Sequence, residues 1–158
     1  MELNPSLSII QTQLKEGKLI LPEIVDHYLQ QIETHADLNA FIEVYADEAR
    51  TRAAEVELKI KRGNAGKLAG LVIGIKDNIC YRDHHVSACS KILENYTSIY
   101  SSTVVERLLA EDAIIIGRLN SDEFAMGGSN ETSYHGPVKN YADRKRVSGR
   151  SSGGSAVA

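Results

Sequence analysis

The stretch LVIGIKDN, at residues 71–78, determines the predicted fold. Five residues without a polar side chain are typical of a strand buried on both faces, and the charged and amide groups follow where such a strand leaves its sheet. A second apolar run, AIIIG at residues 113–117, predicts another buried strand. Between them, Thr103 and Glu106 form a capping-box pattern that predicts the start of a helix. A connection of this length predicts a right-handed parallel crossover, and therefore an α/β sheet covered on both faces.

The residues before this unit are predicted to be helical. Pro22 suits the first turn of a helix whose apolar residues recur at three- and four-residue spacing. A second helix is predicted over residues 47–62, and Gly63 supplies a left-handed stop after it. We therefore expect a helical segment over residues 1–66 and the start of the α/β core over residues 67–158, together forming the N-terminal part of a single domain.

Composition and charge exclude several classes of protein. With 158 residues, 42% of them hydrophobic and 25% charged, the chain is neither disordered nor collagen-like. Eighteen basic against 21 acidic residues give a net charge of -3, so any contact with RNA requires a local patch or a partner. Two cysteines cannot form a multi-bridge secreted framework, and neither a signal segment nor a membrane-spanning apolar run is present. The expected location is the cytoplasm, without a membrane.

Lys76 is the first candidate catalytic residue. Its stem follows an apolar strand, and burial there disfavours the ammonium and lowers the pKa of the amine toward neutrality. An uncharged amine is a base. The alternative is that Lys76 extends to the surface and pairs with Asp77.

A second candidate lies in the run SGRSSGGS, at residues 148–155. Ser151 and Ser152 lie close to glycines that leave their hydroxyls accessible and allow unusual backbone conformations. The alternatives are a flexible linker or a glycine-rich phosphate loop before a helix. The absence of a Gly-Lys-Ser/Thr sequence in register argues against the phosphate loop.

Together, GIKDNI at residues 74–79 and GRSSGGS at residues 149–155 resemble the two motifs of the amidase signature family. The resemblance implies an α/β fold with a mixed sheet. It also implies a Ser-cisSer-Lys triad in which Lys76 is the unprotonated base and Ser151 is the bridging serine. The attacking serine would lie beyond Ala158, so these residues alone are expected to be inactive. The peptide bond before Ser151 is expected to be cis, with Arg150 where the family usually has glycine, and a trans bond would count against Ser151 as the relay.

Within the family, DEFAMG at residues 122–127 resembles the glutaminase subunit, known as the A subunit, of tRNA-dependent amidotransferases. This implies hydrolysis of glutamine to supply ammonia for converting Glu-tRNA(Gln) to Gln-tRNA(Gln). The implied partners are the B subunit, which uses ATP and Mg²⁺, the C subunit, and misacylated tRNA bound through the complex, while the glutaminase subunit needs no cofactor. Two alternatives stay open: a free-standing amidase that acts on a small carboxamide, and a non-catalytic interaction module.

A rival cluster lies after the first strand. Cys80, His84, His85 and Cys89 are all of types that bind zinc. Adjacent histidines rarely face one ion and the cysteine spacing departs from that of zinc sites, so we expect no metal here and small reduced cysteines near the sheet. The loop with Tyr134, His135 and Pro137 receives no role.

Overall fold

The computed structural model describes residues 6–158. Within them the chain forms five α-helices, three strands and three short 3-10 helices. The helices are α1 (Leu7–Lys15), α2 (Leu21–Thr34), α3 (Ala46–Lys61), α4 (Thr103–Ala110) and α5 (Gly153–Val157). The strands are β1 (Phe41–Val44), β2 (Val72–Lys76) and β3 (Ile114–Leu119), and the 3-10 helices cover Ala36–Leu38, Lys91–Leu93 and Glu123–Ala125.

The three strands form one mixed sheet in the order β1-β3-β2. β2 and β3 are parallel, with α4 in the connection between them, as the two apolar runs predict. β1 pairs with β3 in the antiparallel direction. The central strand β3 is buried along its whole length, which explains why its sequence is an uninterrupted apolar run up to Gly117.

Helices cover both faces of this sheet, confirming the expected architecture. On one face, apolar residues of α1, α2 and α3 pack against Ile114 and Ile116 of β3. On the other face, Val105 of α4 packs against Ile75 and Ile115. Adjacent strand residues point to opposite faces, so β2 and β3 each contribute to both clusters.

The expected helical segment over residues 1–66, of which residues 1–5 lie outside the described part, also contains a strand, because Phe41–Val44 form β1. Its sequence, FIEV, is only four residues long and lies between two strong helical patterns, so the sequence analysis did not predict a strand here. β1 approaches β3 so closely that a methyl group on Gly117 would lie 2.5 Å from the carbonyl oxygen of Glu43. The helical segment therefore contributes one strand to the described sheet.

Two helix ends test the sequence rules. Gly63 follows α3 in the left-handed conformation (φ 73°), as predicted. The capping box assigned to Thr103 is wrong, because the cap of α4 is Ser102, whose hydroxyl accepts a 3.5 Å hydrogen bond from the amide of Val105. Thr103 is already the first helical residue. No helix in the described part of the chain is both long enough and apolar enough to span a bilayer.

Candidate active site

Lys76 is the last residue of β2, and its amine meets two serine hydroxyls from the far end of the chain. Lys76 Nζ lies 2.8 Å from Ser152 Oγ and 3.4 Å from Ser151 Oγ. The side chain is half-buried, and this burial lowers the pKa of the amine, although the charges of Cys89 and Asp122 act in the opposite direction. The structure thus brings together the two motifs that the sequence pairs across 75 positions.

Residues 148–155, which we name the Gly/Ser loop, reach Lys76 through a turn with unusual backbone angles. Gly149 and Arg150 both adopt the left-handed conformation, with φ of 74° and 63°. The chain then enters α5, which packs against β2. A methyl group on Gly154 would lie 2.6 Å from the carbonyl oxygen of Ala40, so this glycine is required by the close approach of α5 to the end of the sheet.

Two details of the loop differ from expectation. The described residues contain no cis peptide bond, so the bond between Arg150 and Ser151 is trans and the expected cis bond is wrong. Ser152, rather than Ser151, has the hydroxyl nearer to Lys76 Nζ. The trans bond and the longer distance count against Ser151 as the relay, but both hydroxyls are within reach of the amine, and the assignment of Ser151 stays a prediction.

The alternative that Lys76 pairs with Asp77 does not match the structure. Asp77 is fully buried, and its carboxylate accepts hydrogen bonds from Arg118 Nη1 (2.6 Å), Ser87 Oγ (2.5 Å) and the amide of Cys89 (2.7 Å). Its charge is therefore matched by Arg118 of β3. Lys76 is left free of a direct carboxylate partner among the described residues, which is what a base that must lose its proton requires.

Three of the four possible zinc ligands have other side-chain contacts in the structure, and His85 is exposed. Cys80 Sγ lies 3.4 Å from the Tyr100 hydroxyl, and His84 contacts Glu48 and stacks on Tyr81. Cys89 is fully buried, and its sulfur accepts hydrogen bonds from the amide and hydroxyl of Ser121. Burial raises the pKa of the Cys89 thiol. It is a packed thiol at the end of the sheet.

Sequence reasoning missed the polar residues that follow β3. Asn120 and Asp122 are fully buried at the same edge of the sheet as Lys76. The side-chain oxygen of Asn120 accepts a 2.6 Å hydrogen bond from Ser133 Oγ. The backbone carbonyl of Asn120 accepts a hydrogen bond from the amide of Gly154. The signal was available, because the carboxyl ends of parallel strands meet at one edge and polar residues directly after both strands converge there.

Comparison with known proteins agrees with this geometry. A family model described as Amidase matches residues 23–158. The A subunit of the glutamyl-tRNA(Gln) amidotransferase of Chlorobaculum tepidum is 49% identical over 150 residues, which cover 94% of this chain and 31% of that protein. The protein of the same name from Methanothermobacter thermautotrophicus is 51% identical over 147 residues, covering 92% and 32%. The chain therefore spans about a third of the length of these relatives.

Solved structures show the same architecture. The native peptide amidase of Stenotrophomonas maltophilia matches with a TM-score of 0.88 and 28% identity, over 98% of this chain and 33% of that one. The A subunit of the glutamyl-tRNA(Gln) amidotransferase of Thermotoga maritima matches with a TM-score of 0.70 and 30% identity, over 99% and 33%. With a half-buried lysine at the end of a parallel strand, two serine hydroxyls against it, and a family model that covers most of its length, the chain belongs to the amidase family.

Proposed function

We propose that this chain is part of the glutaminase subunit of a tRNA-dependent amidotransferase, which hydrolyses glutamine and supplies ammonia for converting Glu-tRNA(Gln) to Gln-tRNA(Gln). The observation that carries the proposal is the contact of the half-buried Lys76 amine with the hydroxyls of Ser151 and Ser152. The identity of 49–51% to proteins named as the A subunit of a glutamyl-tRNA(Gln) amidotransferase favours this branch of the family.

The proposed mechanism assigns proton transfer to this part of the protein. A serine hydroxyl is a weak nucleophile at neutral pH, so a base must accept its proton as the bond to the amide carbon forms. In the proposal the attacking serine lies beyond Ala158. Its proton passes through the hydroxyl of Ser151 to Lys76 Nζ and then to the departing nitrogen of glutamine, which leaves as ammonia. Water then hydrolyses the acyl ester to glutamate by the same route.

The other steps belong to partners in this proposal. The B subunit uses ATP and Mg²⁺ to activate the misacylated carboxylate, and the C subunit holds the other two together. The glutaminase subunit itself needs no cofactor. The net charge of -3 is consistent with a tRNA held mainly by a partner. The two cysteines are free thiols, which suits a reducing cytoplasm.

The proposal is tested by glutamine hydrolysis in a protein that continues this chain to the length of its relatives. Ammonia release is measured for the parent and for Lys76→Ala, Ser151→Ala and Ser152→Ala. Loss of a triad member costs on the order of 10⁴- to 10⁶-fold in a comparable serine hydrolase, so Lys76→Ala is expected to abolish hydrolysis. The two serine variants identify the relay, and we expect Ser151→Ala to be the more damaging.

The matched control is Lys145→Ala, which removes an exposed lysine from the loop before the site and is expected to leave hydrolysis unchanged. Ammonia release that persists in Lys76→Ala would exclude the catalytic role of Lys76. Hydrolysis of small carboxamides without hydrolysis of glutamine would favour the free-standing amidase instead. A parent protein without any amide hydrolysis would favour the interaction module.

A further inference from the structure

Asp122 is a fully buried acid directly after β3, and all its described carboxylate contacts go to one loop. Its oxygens accept hydrogen bonds from the amide of Asn130 (3.1 Å), the amide of Thr132 (3.3 Å) and the hydroxyl of Thr132 (2.8 Å). A methyl group on Gly127 would collide with the same carboxylate. Residues 127–132, which we name the Asp122 loop, are therefore folded around this side chain.

The Asp122 loop in turn supports the Gly/Ser loop. The carbonyl of Gly128 accepts a 2.7 Å hydrogen bond from the amide of Arg150. The side chain of Asn130 lies so close to Gly153 that a methyl group there would fall 2.6 Å from Asn130 Cγ. Asp122 also acts directly, since its amide donates a 3.2 Å hydrogen bond to the carbonyl of Ser151. These contacts bracket both serine hydroxyls that meet Lys76.

We propose that Asp122 is a positioning residue for the reaction, whose carboxylate fixes the Asp122 loop so that this loop holds Ser151 and Ser152 against Lys76. Asp122 touches no reacting atom in this account. It acts through the backbone on either side of the serine pair. The inference rests on the proposed function for its kinetic consequences, whereas the coupling between the two loops follows from the contacts alone.

The charge of Asp122 gives the proposal a second measurable consequence. Two acidic groups oppose the loss of the proton from the Lys76 amine: Asp122, after β3, and Cys89, from the loop after β2, the latter only when its thiol is ionised. Burial lowers the pKa of Lys76, and the negative charge of Asp122 partly opposes that effect by favouring the ammonium. Removal of this charge should therefore let Lys76 lose its proton at a lower pH.

The experiment uses three variants of the protein extended to the length of its relatives, with glutamine hydrolysis followed across a pH series. Asp122→Asn keeps the shape of the side chain and removes its charge. It also replaces one acceptor oxygen with an NH₂ group, which cannot accept the hydrogen bonds made to that oxygen. Thr132→Val removes the 2.8 Å hydroxyl contact and keeps the charge. Glu131→Gln, an exposed change in the Asp122 loop, is the matched control.

We expect kcat to fall about 10- to 100-fold in Asp122→Asn and by a smaller factor in Thr132→Val, with KM within about twofold, because misplacement of a catalytic group slows the chemical step. The acid limb of the pH profile should move to lower pH in Asp122→Asn alone. Unchanged kcat in both variants, or an acid limb that stays in place or moves to higher pH in Asp122→Asn, would overturn the proposal. Glu131→Gln should match the parent in both measurements.

Hydrogen exchange separates this proposal from the proposed function. In Asp122→Asn and Thr132→Val, the amides of Arg150 and Gly154 should exchange at least about 10-fold faster, while the amides of β3 keep their protection. If the parent hydrolyses no amide but this local loss of protection is found, the function fails and the positioning stands. If the parent is active and the amides of the Gly/Ser loop keep their protection, the positioning fails. Thr132→Val decides the matter if Asp122→Asn does not fold.

Discussion

A lysine serves as a base at neutral pH only where its surroundings favour the uncharged amine. Burial at the end of β2 lowers the pKa of Lys76 and so favours the uncharged amine, and the apolar run before it made this visible in the sequence. Its nearest hydroxyl could not be predicted in the same way. Ser151 and Ser152 are neighbours in a turn with two left-handed residues, and only the backbone angles determine which hydroxyl lies nearer to the amine.

Arg150 is a residue whose conformation carries a cost. Its φ of 63° lies in the left-handed region, where a side chain crowds the backbone and glycine does not. We predict that Arg150→Gly raises the free energy of unfolding by about 0.5–1 kcal/mol, as measured by urea denaturation. Lys145→Gly is the control, because Lys145 is exposed in the same loop without a positive φ and should gain nothing. Equal effects of the two changes would contradict this interpretation.

At the scale of the secondary-structure elements, the carboxylate of Asp112 links helix α3 to the turn before β3. Asp112 is buried and accepts hydrogen bonds from Arg52 Nη2 (2.9 Å), Lys59 Nζ (2.6 Å) and the amide of Gly66 (2.8 Å). Sequence patterns predicted α3 and β3 separately but not this link. A basic residue on a helix surface usually faces solvent, and nothing in the sequence of α3 indicates that Arg52 and Lys59 share one partner.

The Asp112 link predicts a pH-dependent contribution to stability. Burial raises the pKa of Asp112, but the hydrogen bond from Lys59, that from Gly66 and the nearby charges outweigh it and leave the pKa below its ordinary value of 3.8. A lowered native pKa stabilises the fold above pH 3.8, and that stabilisation is lost as the pH falls through the native pKa. Asp112→Asn should therefore cost about 1–2 kcal/mol of unfolding free energy at pH 7 and progressively less below pH 3.8.

Urea denaturation at pH 7 and at pH 3 measures this difference in unfolding free energy. Asparagine is the chosen replacement because it tolerates the φ of 64° found at Asp112. Asp143→Asn is the control, because Asp143 is exposed and its carboxylate contacts the exposed Arg146 and the amide of Lys145, which an asparagine oxygen can also accept. It should cost about 0–0.5 kcal/mol. A loss in Asp112→Asn that is the same at both pH values would contradict the ionic account.

Across the whole molecule, the sequence predicted the parallel unit and missed its antiparallel neighbour. The runs at residues 71–75 and 113–117 are wholly apolar, so their pattern is unambiguous. In the structure β3 is buried along its whole length, whereas β2 is partly buried and places Ile75 in the core. Phe41–Val44 form a four-residue edge strand with a partly exposed pattern. Its pairing with β3 depends on a close backbone approach at Gly117, which only the folded structure shows. The candidate site was predictable to the same extent: its two motifs were visible, but the polar frame around Asn120 and Asp122 was not.

The claim on which the rest depends is that Lys76 is uncharged at a pH where ordinary lysines are charged. The most direct measurement is the pH dependence of Lys76 modification by a small amine-acylating reagent in the protein extended to the length of its relatives, followed by mass spectrometry of the Lys76 peptide. We predict a midpoint clearly below 10.5, the ordinary value for lysine. A midpoint at or above 10.5 would contradict the account.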